Sequence, residues 1–352
     1  MVEYRLMRTL LVGYVASDLS VRGKHGELSP SPSLTEGDVT CHTLDIYHRH
    51  AIEKTVHAKA VCSAHLPEGP WDLIRFRTGP KIHSGELSLD LLQEISRLAP
   101  NAKLLGGNGS GPQVELDYVG REGDRNDFLD KIRKDRGRVR DFAAKWTSSV
   151  PGIAPVEFTS FPGCFCHRRP DDGGLALAEV VSREMSDGEP GTKANDEISV
   201  LDMGCGCGLV GLLIAAAIRG KSDARTSAES GARAPGRPLR LVAVDSHSRA
   251  VEATELNAKN LGVRAEVILS DNGTPARMDG TFDVFVGNPP YYSDYRIADV
   301  FLETARRALR PGGVCYTVCK NAAGLEPVQK RYFPAVEIIR RRGYAVLKSL
   351  NA

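Results

Sequence analysis

The feature that most constrains the fold is an apolar run that leads through a glycine-rich turn into an apolar helix. The run covers Ile198–Met203, glycine occupies every second position of 204–208, and apolar residues dominate 209–219. Glycines in such a turn let the backbone approach a ligand, and the amide groups at the helix start face that ligand. The pattern therefore predicts a strand, a ligand-binding turn and a helix, which together form the repeating unit of a parallel α/β sheet.

The residues that follow continue the alternation of strand and helix. Strands are predicted at 239–244, 265–269, 282–286, 314–319 and 344–349, and helices at 248–261 and 298–309. Residues 221–238 are rich in Ser, Ala, Gly, Arg and Pro, which predicts a flexible insertion. The second half is therefore expected to form one α/β unit whose sites lie at the carboxyl ends of its strands.

The first half shows a weaker form of the same alternation. Helices are predicted at 47–54 and 87–98, and strands at 58–64, 71–75 and 103–106. The Ser-Pro run at 29–33 predicts a linker or long loop, with ordered structure resuming near Asp45. At about 100 to 200 residues per domain, a chain of 352 residues predicts two domains, which we place at 1–150 and 151–352.

Acids at the ends of the predicted strands narrow the choice of ligand. Residues 206–211 fit the glycine spacing of dinucleotide-binding turns, so the turn alone leaves a dehydrogenase open. Asp202, however, would repel a pyrophosphate at close range, and it can accept a hydrogen bond from a cationic amine. Asp245 is placed to hold ribose hydroxyls, and Asp271 to accept a hydrogen bond from an adenine amine. These acids predict an adenosine with a positively charged tail, which S-adenosylmethionine fits better than NAD.

A second motif, Asn-Pro-Pro-Tyr at 288–291, follows the strand predicted at 282–286. An aromatic amine is a poor nucleophile because its lone pair is delocalised into the ring. Two hydrogen-bond acceptors can draw such an amine towards tetrahedral geometry and stabilise the charge that develops as it attacks a methyl carbon. With the glycine turn, the motif resembles class I S-adenosylmethionine-dependent methyltransferases that modify amino groups. The resemblance implies that the Asn288 oxygen and the Pro289 carbonyl are the acceptors, and that Tyr291 stacks on a flipped base.

Shorter segments resemble a narrower family. Residues 161–165 (Phe-Pro-Gly-Cys-Phe), 171–174 (Asp-Asp-Gly-Gly) and 309–313 (Leu-Arg-Pro-Gly-Gly) are similar to segments of bacterial ribosomal RNA guanine-N2 methyltransferases. Residues 104–111 resemble a turn in the degenerate, catalytically silent methyltransferase-like α/β domain that precedes the catalytic domain in that family. The resemblance implies a Rossmann-like, seven-stranded class I catalytic domain with S-adenosylmethionine as cofactor. It also implies guanine N2 as the target, in ribosomal RNA or a ribosomal subunit.

The site residues expected from these patterns form two sets. The catalytic set is Asn288, Pro289, Pro290 and Tyr291. The cofactor-binding set is Asp202, Gly204, Cys205, Gly206, Gly208, Asp245, Ser246, Asp271, Asn272 and Asn288. Tyr291 stands where the guanine enzymes usually carry Phe, so adenine N6 in RNA or DNA and protein glutamine N5 stay open as targets. A binding protein that keeps the fold without turnover is the alternative from another class.

Charge is balanced overall and concentrated locally. The net charge of +2 does not by itself indicate a nucleic-acid partner. The first domain, 1–150, is expected to recognise RNA, and the densest basic run, at 131–140, supplies its candidate contacts. These cations form either RNA phosphate contacts or a solvated helix face. These cations are Arg133, Lys134, Arg136, Arg138 and Arg140, and the insertion adds Arg225, Arg233 and Arg237 as further candidates.

Cysteine usage and the apolar segments bear on the compartment. The eight cysteines are expected to be reduced thiols, and the best metal candidate, Cys164 to His167, lacks the spacing typical of zinc sites, so no metal is expected. The longest strongly apolar run, 209–218, has about half the ~20 residues that a membrane-spanning helix needs. The first residues lack the pattern of a signal peptide. We therefore expect a cytoplasmic protein. We also expect it to be a monomer.

Overall fold

The computed structural model divides the chain into two compact units. It describes residues 7–22, 28–35, 37–56, 58–99, 113–135, 140–187, 197–229, 238–290 and 295–352. The first unit is Met1–Ala143 together with His247–Arg249, and the second is Ala144–Ser246 together with Ala250–Ala352. The division therefore falls a few residues before the boundary that we placed at 150/151.

The first unit contains a five-stranded parallel sheet. Its strands, in sheet order, are β5 (Lys59–Cys62), β4 (Asp38–Thr43), β1 (Arg8–Val12), β6 (Leu73–Thr78) and β7 (Gln113–Tyr118). Its longer helices are α2 (Ile46–Thr55), α3 (Gly85–Leu98) and α4 (Glu122–Asp135). The predicted strand at 103–106 and the turn at 104–111 lie outside the described residues.

The expectation that ordered structure resumes near Asp45 was wrong. Strand β1 lies at the centre of the first sheet, with Leu10, Leu11 and Val12 fully buried. The segment read as a linker contains β3 (Leu28–Pro30), paired with β2 (Ser20–Arg22), and the short helix α1 (Pro32–Thr35). Pro32 is the first residue of α1, where the missing amide hydrogen costs the helix nothing.

The second unit contains a seven-stranded sheet. In sheet order its strands are β12 (Ala265–Leu269), β11 (Leu239–Asp245), β10 (Ile198–Met203), β13 (Phe282–Gly287), β14 (Leu309–Cys319), β16 (Tyr344–Leu350) and β15 (Glu337–Arg341). Neighbouring strands are parallel from β12 to β14, whereas β16 is antiparallel to both β14 and β15. This is the Rossmann-like, seven-stranded α/β sheet that the family resemblance predicted. The sequence patterns predicted six of its strands and missed β15.

Helices cover both faces of this sheet. One core contains buried residues of α5 (Asp172–Asp187), α6 (Leu209–Glu229) and α7 (Ser248–Asn260), and it includes Phe158 from the hairpin of β8 (Ala144–Ser148) and β9 (Val156–Ser160). The other core contains residues of α8 (Arg296–Ala308) and α9 (Ala322–Gln329). Consecutive residues of β13 alternate between the two cores, because side chains along a strand point to opposite faces.

The prediction of a flexible insertion at 221–238 is wrong for residues 221–229. Helix α6 continues through residue 229, because Ser, Ala, Arg and Glu are compatible with a helix and the glycines and prolines begin only at 231. Arg225 lies on α6, its side chain is not described, and Arg233 and Arg237 fall outside the described residues.

Two negative findings hold for the described residues. They contain no helix that is both long enough and apolar enough to cross a bilayer. They also bring together no group of three or more His, Cys, Asp or Glu side chains that could hold a metal ion.

A single buried amide joins three elements of the second unit. Asn257 on α7 is fully buried, and its Oδ1 accepts a hydrogen bond from the Thr159 amide at 2.8 Å. Its Nδ2 donates to the carbonyls of Thr159 and Cys207 at 2.8 and 2.9 Å. This side chain therefore fixes β9 and the glycine-rich turn to the same helix.

We expect Asn257→Ala to lower the free energy of unfolding by about 2–4 kcal/mol, because it leaves buried backbone groups without partners. Asn260→Ala is the matched control, since Asn260 is an exposed asparagine near the end of the same helix. Urea denaturation followed by circular dichroism measures both variants. Equal stability of the two would contradict the assignment.

Candidate functional site

The loops after four parallel strands lie along one edge of the second sheet. Strand β10 pairs with β11 on one side and with β13 on the other, so that Met203 lies opposite both Val244 and Gly287. Strand β11 in turn pairs with β12, where Asp245 lies opposite Leu269. The glycine turn and the loops that contain Ser246, Asp271 and Asn288 therefore start from the same edge, where open α/β sheets bind ligands.

The glycine-rich turn uses its glycines for two different reasons. Gly204, Gly206 and Gly208 have φ angles of 70°, 58° and 83°, which are in the left-handed region. A side chain on Gly204 or Gly208 would also collide with Phe301 or Leu212, at 2.8 Å from the added Cβ. A Cβ on Gly206 would meet no atom within 4 Å, so this residue borders open space. The turn thus offers accessible backbone at Gly206.

The end of β11 holds this turn in place. The Asp245 carboxylate accepts a hydrogen bond from the Gly206 amide at 2.9 Å, and the Val244 carbonyl accepts from the amides of Gly204 and Cys205. From α7, the Thr254 hydroxyl donates to the Gly206 carbonyl at 2.9 Å. A half-buried carboxylate therefore lies beside the open space at Gly206.

Asp202 has a partner inside the protein. Its side chain is only 2% exposed, and Oδ2 accepts a hydrogen bond from the Gly211 amide in the first turn of α6 at 2.8 Å. Burial, with a smaller contribution from the charge of Asp245, raises the pKa of Asp202 to about 7. The carboxylate therefore fixes the helix start, and the contact with a ligand amine expected from the sequence stays a prediction.

The loop after β12 contains the other two predicted cofactor residues of this edge. Asp271 is half-buried and Asn272 is exposed. The Ser270 hydroxyl lies 2.9 Å from Asn272 Oδ1 and donates to the Gly273 carbonyl at 2.7 Å, which shapes the loop. Asn272 also lines a cavity of about 510 Å³ together with Ser270, Thr274 and Arg307.

Asn288 is held in one orientation by a residue far away in the sequence. It follows β13, and its Nδ2 donates a hydrogen bond to Asp171 Oδ2 at 2.7 Å. The same oxygen of Asp171 accepts from the Gly174 amide at 2.6 Å, at the start of α5. A carboxylate offers only acceptors, so the amide nitrogen of Asn288 must face Asp171. The Oδ1 atom of Asn288 is consequently directed away from Asp171.

The remaining predicted residues are placed as follows. Pro289 is buried and Pro290 half-buried, whereas Tyr291 lies outside the described residues. Arg140 is exposed, and its backbone pairs with the side chain of Gln93. The side chains of Arg133 and Lys134, and all of Arg136 and Arg138, lie outside the described part of the chain.

The sequence patterns did not predict the roles of two residues of this site, Asp171 and Thr254. Asp171 was matched only to a family segment, although an acid directly before an apolar helix is the signal of an N-terminal cap. Thr254 has no local signal at all, since it reaches the glycine turn from 48 residues away.

The buried carboxyl group of Asp202 makes stability depend on pH. Its folded-state pKa of about 7 lies above the ordinary value of 3.8, so its contribution is fully present below about pH 4 and is lost as pH rises through 7. Between about pH 5 and about pH 8 we expect the melting temperature to fall by about 5 °C more in the wild type than in Asp202→Asn. Asp172→Asn, which leaves Asp202 in place, should keep the wild-type difference, and parallel curves for all three proteins would contradict the shift.

Comparison with known proteins gives a family and a fold. The family model described as the methyltransferase small domain matches residues 155–348, which cover most of the second unit. Across the whole chain, the structure resembles that of the T. thermophilus 16S rRNA N2 methyltransferase RsmC, solved in complex with AdoMet and guanosine. That match has a TM-score of 0.65 and 17% identity, and it covers 98% of this chain and 88% of the other. It shows that the two proteins share a fold.

Curated relatives bear one common name. The ribosomal RNA small subunit methyltransferase C of Pseudoalteromonas translucida is 28% identical over 60% of this chain and 54% of its own length. The protein of that name from Marinomonas sp. is 27% identical over 69% of this chain and 67% of its own length. The chain thus spans between about half and two thirds of these two relatives. Because the family model matches more than half of the chain, we conclude that the chain belongs to the methyltransferase small domain family.

Proposed function

We propose that this protein transfers a methyl group from S-adenosylmethionine to an exocyclic amine of a base in RNA, with guanine N2 of ribosomal RNA as the target. The observation that carries the proposal is the Asn288 amide, held by Asp171 so that its oxygen is available as an acceptor beside the glycine turn. The names of the relatives and of the structural neighbour support the choice of ribosomal RNA.

The residues at the sheet edge fit the cofactor. The open space at Gly206 admits a ligand against the backbone, and the neighbouring Asp245 carboxylate can accept hydrogen bonds from two ribose hydroxyls. Ser246, Asp271 and Asn272 continue this edge towards the adenine side. S-adenosylmethionine supplies a methyl group that is already activated on a sulfonium.

Asp202 acts through the turn in this proposal. Because its carboxylate is buried and bound to the Gly211 amide, it fixes the start of α6 and the backbone of 204–208 that faces the cofactor. A ligand cation nearby would favour its charged form and lower its pKa. The methionine amine of the cofactor is such a cation.

Two acceptors of this chain prepare the target amine. The Asn288 Oδ1 and the Pro289 carbonyl accept hydrogen bonds from its two N–H groups, draw the nitrogen towards tetrahedral geometry and stabilise its developing positive charge. The new carbon–nitrogen bond replaces the methyl–sulfur bond, which leaves S-adenosylhomocysteine, and the methylated nitrogen becomes neutral when it releases one proton. Asp171 prevents the Asn288 amide from turning its NH₂ group towards the amine, which would place two donors against each other.

The test of the function is methyl transfer from labelled S-adenosylmethionine to RNA of a strain that lacks this gene, followed by digestion to nucleosides. We expect label in N2-methylguanosine and a loss of about 10²- to 10³-fold with Asn288→Ala. Label in N6-methyladenosine would move the target to adenine, the alternative that Tyr291 keeps open. Absence of label in RNA, with S-adenosylhomocysteine still bound, would overturn the RNA substrate in favour of DNA or protein.

Asp171→Ser tests the orientation of the catalytic amide. A serine can still accept from the Gly174 amide and cap α5, but its shorter side chain does not reach Asn288 Nδ2, so the Asn288 amide is free to turn its NH₂ group towards the substrate. We expect kcat to fall on the order of tenfold, with S-adenosylhomocysteine binding unchanged. Asp171→Asn is the rescue variant, because its side-chain oxygen can take the place of Oδ2 and accept from both Gly174 and Asn288. A wild-type kcat in Asp171→Ser would contradict the positioning role.

A further inference from the structure

Phe165 is a large apolar side chain on the surface of the second unit. It is 68% exposed, and it lies in the loop between β9 and α5. The loop contains one of the segments that resembles the guanine-N2 methyltransferases, yet the proposed chemistry assigns Phe165 no role. Exposing a phenyl ring to water is unfavourable, and Phe165 is more exposed than the other large apolar side chains on the described surface, which are Met7, Tyr47 and Leu350.

The loop that presents Phe165 is built as a chain of tight turns. The amides of Cys164 and His167 donate to the carbonyls of Phe161 and Cys164, and the His167 ring lies 3.0 Å from the Ser160 hydroxyl. Cys166 and Arg168 have φ angles of 51° and 76°, a conformation that side-chain-bearing residues rarely adopt. Phe165 therefore lies in a hydrogen-bonded loop, and the two residues with the unusual backbone conformation follow it closely in the chain.

The same loop leads directly to the catalytic amide. The Cys166 Sγ lies 3.8 Å from Asp171 Oδ1, and the other oxygen of that carboxylate holds Asn288. Phe165 is the chain neighbour of Cys166, with α-carbons about 3.8 Å apart. Phe165 is thus next in the chain to a residue whose side chain lies beside the carboxylate that holds Asn288.

Three exposed cations lie in this loop or near the helix that follows it. Arg168 and Arg169 are both exposed in the loop itself. Lys320, at the end of β14, is exposed and lies over the Tyr344 ring at 4.3 Å. Tyr344 in turn packs against Gly173, where an added Cβ would lie 3.1 Å from its ring. Two cations therefore lie in the loop of Phe165, and a third lies close to the start of α5 through its contact with Tyr344.

We propose that Phe165, Arg168, Arg169 and Lys320 form an RNA docking surface, in which Phe165 stacks on a base next to the target nucleotide and the cations contact phosphates. A stacking ring beside cations is the arrangement that binds single-stranded nucleic acid, because every base has a π-face and every phosphate a charge. One exposed ring is too small an apolar area for a stable protein interface. The proposal rests on the RNA substrate proposed above.

The experiment compares Phe165→Ala with Phe165→Trp on the full chain. RNA affinity is measured by filter binding, and methyl transfer by kinetics, with protein-free small-subunit ribosomal RNA and with unmodified small subunits. We expect Phe165→Ala to weaken RNA affinity and raise the KM for RNA about tenfold, with kcat and S-adenosylhomocysteine affinity unchanged. Phe165→Trp should restore both RNA affinity and KM. Leu350→Ala is the control, since Leu350 is a large apolar residue of the same unit that is 55% exposed, and it pairs with Val314 at the edge of the sheet opposite the site.

Salt dependence tests the cations separately. The double variant Arg169→Ala and Lys320→Ala should reduce the slope of log affinity against log salt by about 1.4, the value for two phosphate contacts to a single strand.

Two results would overturn the docking surface, and they differ. Wild-type affinity and KM in Phe165→Ala, while RNA is still methylated, would overturn the surface and leave the proposed function intact. Failure of the wild-type protein to bind or methylate either RNA substrate would overturn the proposed substrate, and the docking surface with it.

Discussion

The hydrogen bond between Asp171 and Asn288 is the interaction on which the proposed chemistry depends. It joins the start of α5 to the end of β13, two points that are 117 residues apart in the chain. Asp171 can serve both elements because its carboxylate accepts from the α5 backbone and from the Asn288 amide. An isolated asparagine could present either its oxygen or its nitrogen to a substrate, whereas a carboxylate neighbour leaves only one choice. The site is therefore prepared before any substrate arrives, as electrostatic preorganisation requires.

The cofactor side of the edge depends on a different constraint, the backbone of the glycine turn. Three residues in left-handed conformation require glycine, and the Asp245 carboxylate, the Thr254 hydroxyl and the buried Asp202 fix the turn or the helix that follows it. The turn thus leaves its backbone accessible at Gly206 while side chains hold it from other sides. Asp202 illustrates how an acid in a motif can act on a ligand site through the backbone.

Local patterns predicted the centre of the second sheet well, because β10, β11 and β13 are largely buried apolar runs, each with a polar residue at or directly after its end. The prediction failed where the signal was short or distant. Strand β1 was missed because five residues show no periodicity of their own, although its last four residues are buried. The predicted end of helix α6 is too early, because residues 221–238 contain helix-forming residues in their first part and glycine and proline only in their second part. The role of Asp171 could not be predicted, since only the folded chain brings it to Asn288.

In the proposed reaction Asn288 presents its oxygen to an exocyclic amine. A crystal structure of the protein with S-adenosylhomocysteine and guanosine would show this contact. We expect the guanine N2 atom about 2.7–3.2 Å from Asn288 Oδ1 and from the Pro289 carbonyl oxygen, with Asn288 Nδ2 still bound to Asp171. Guanosine bound with its N2 atom away from both acceptors, or an Asn288 side chain turned from Asp171 in the complex, would contradict it.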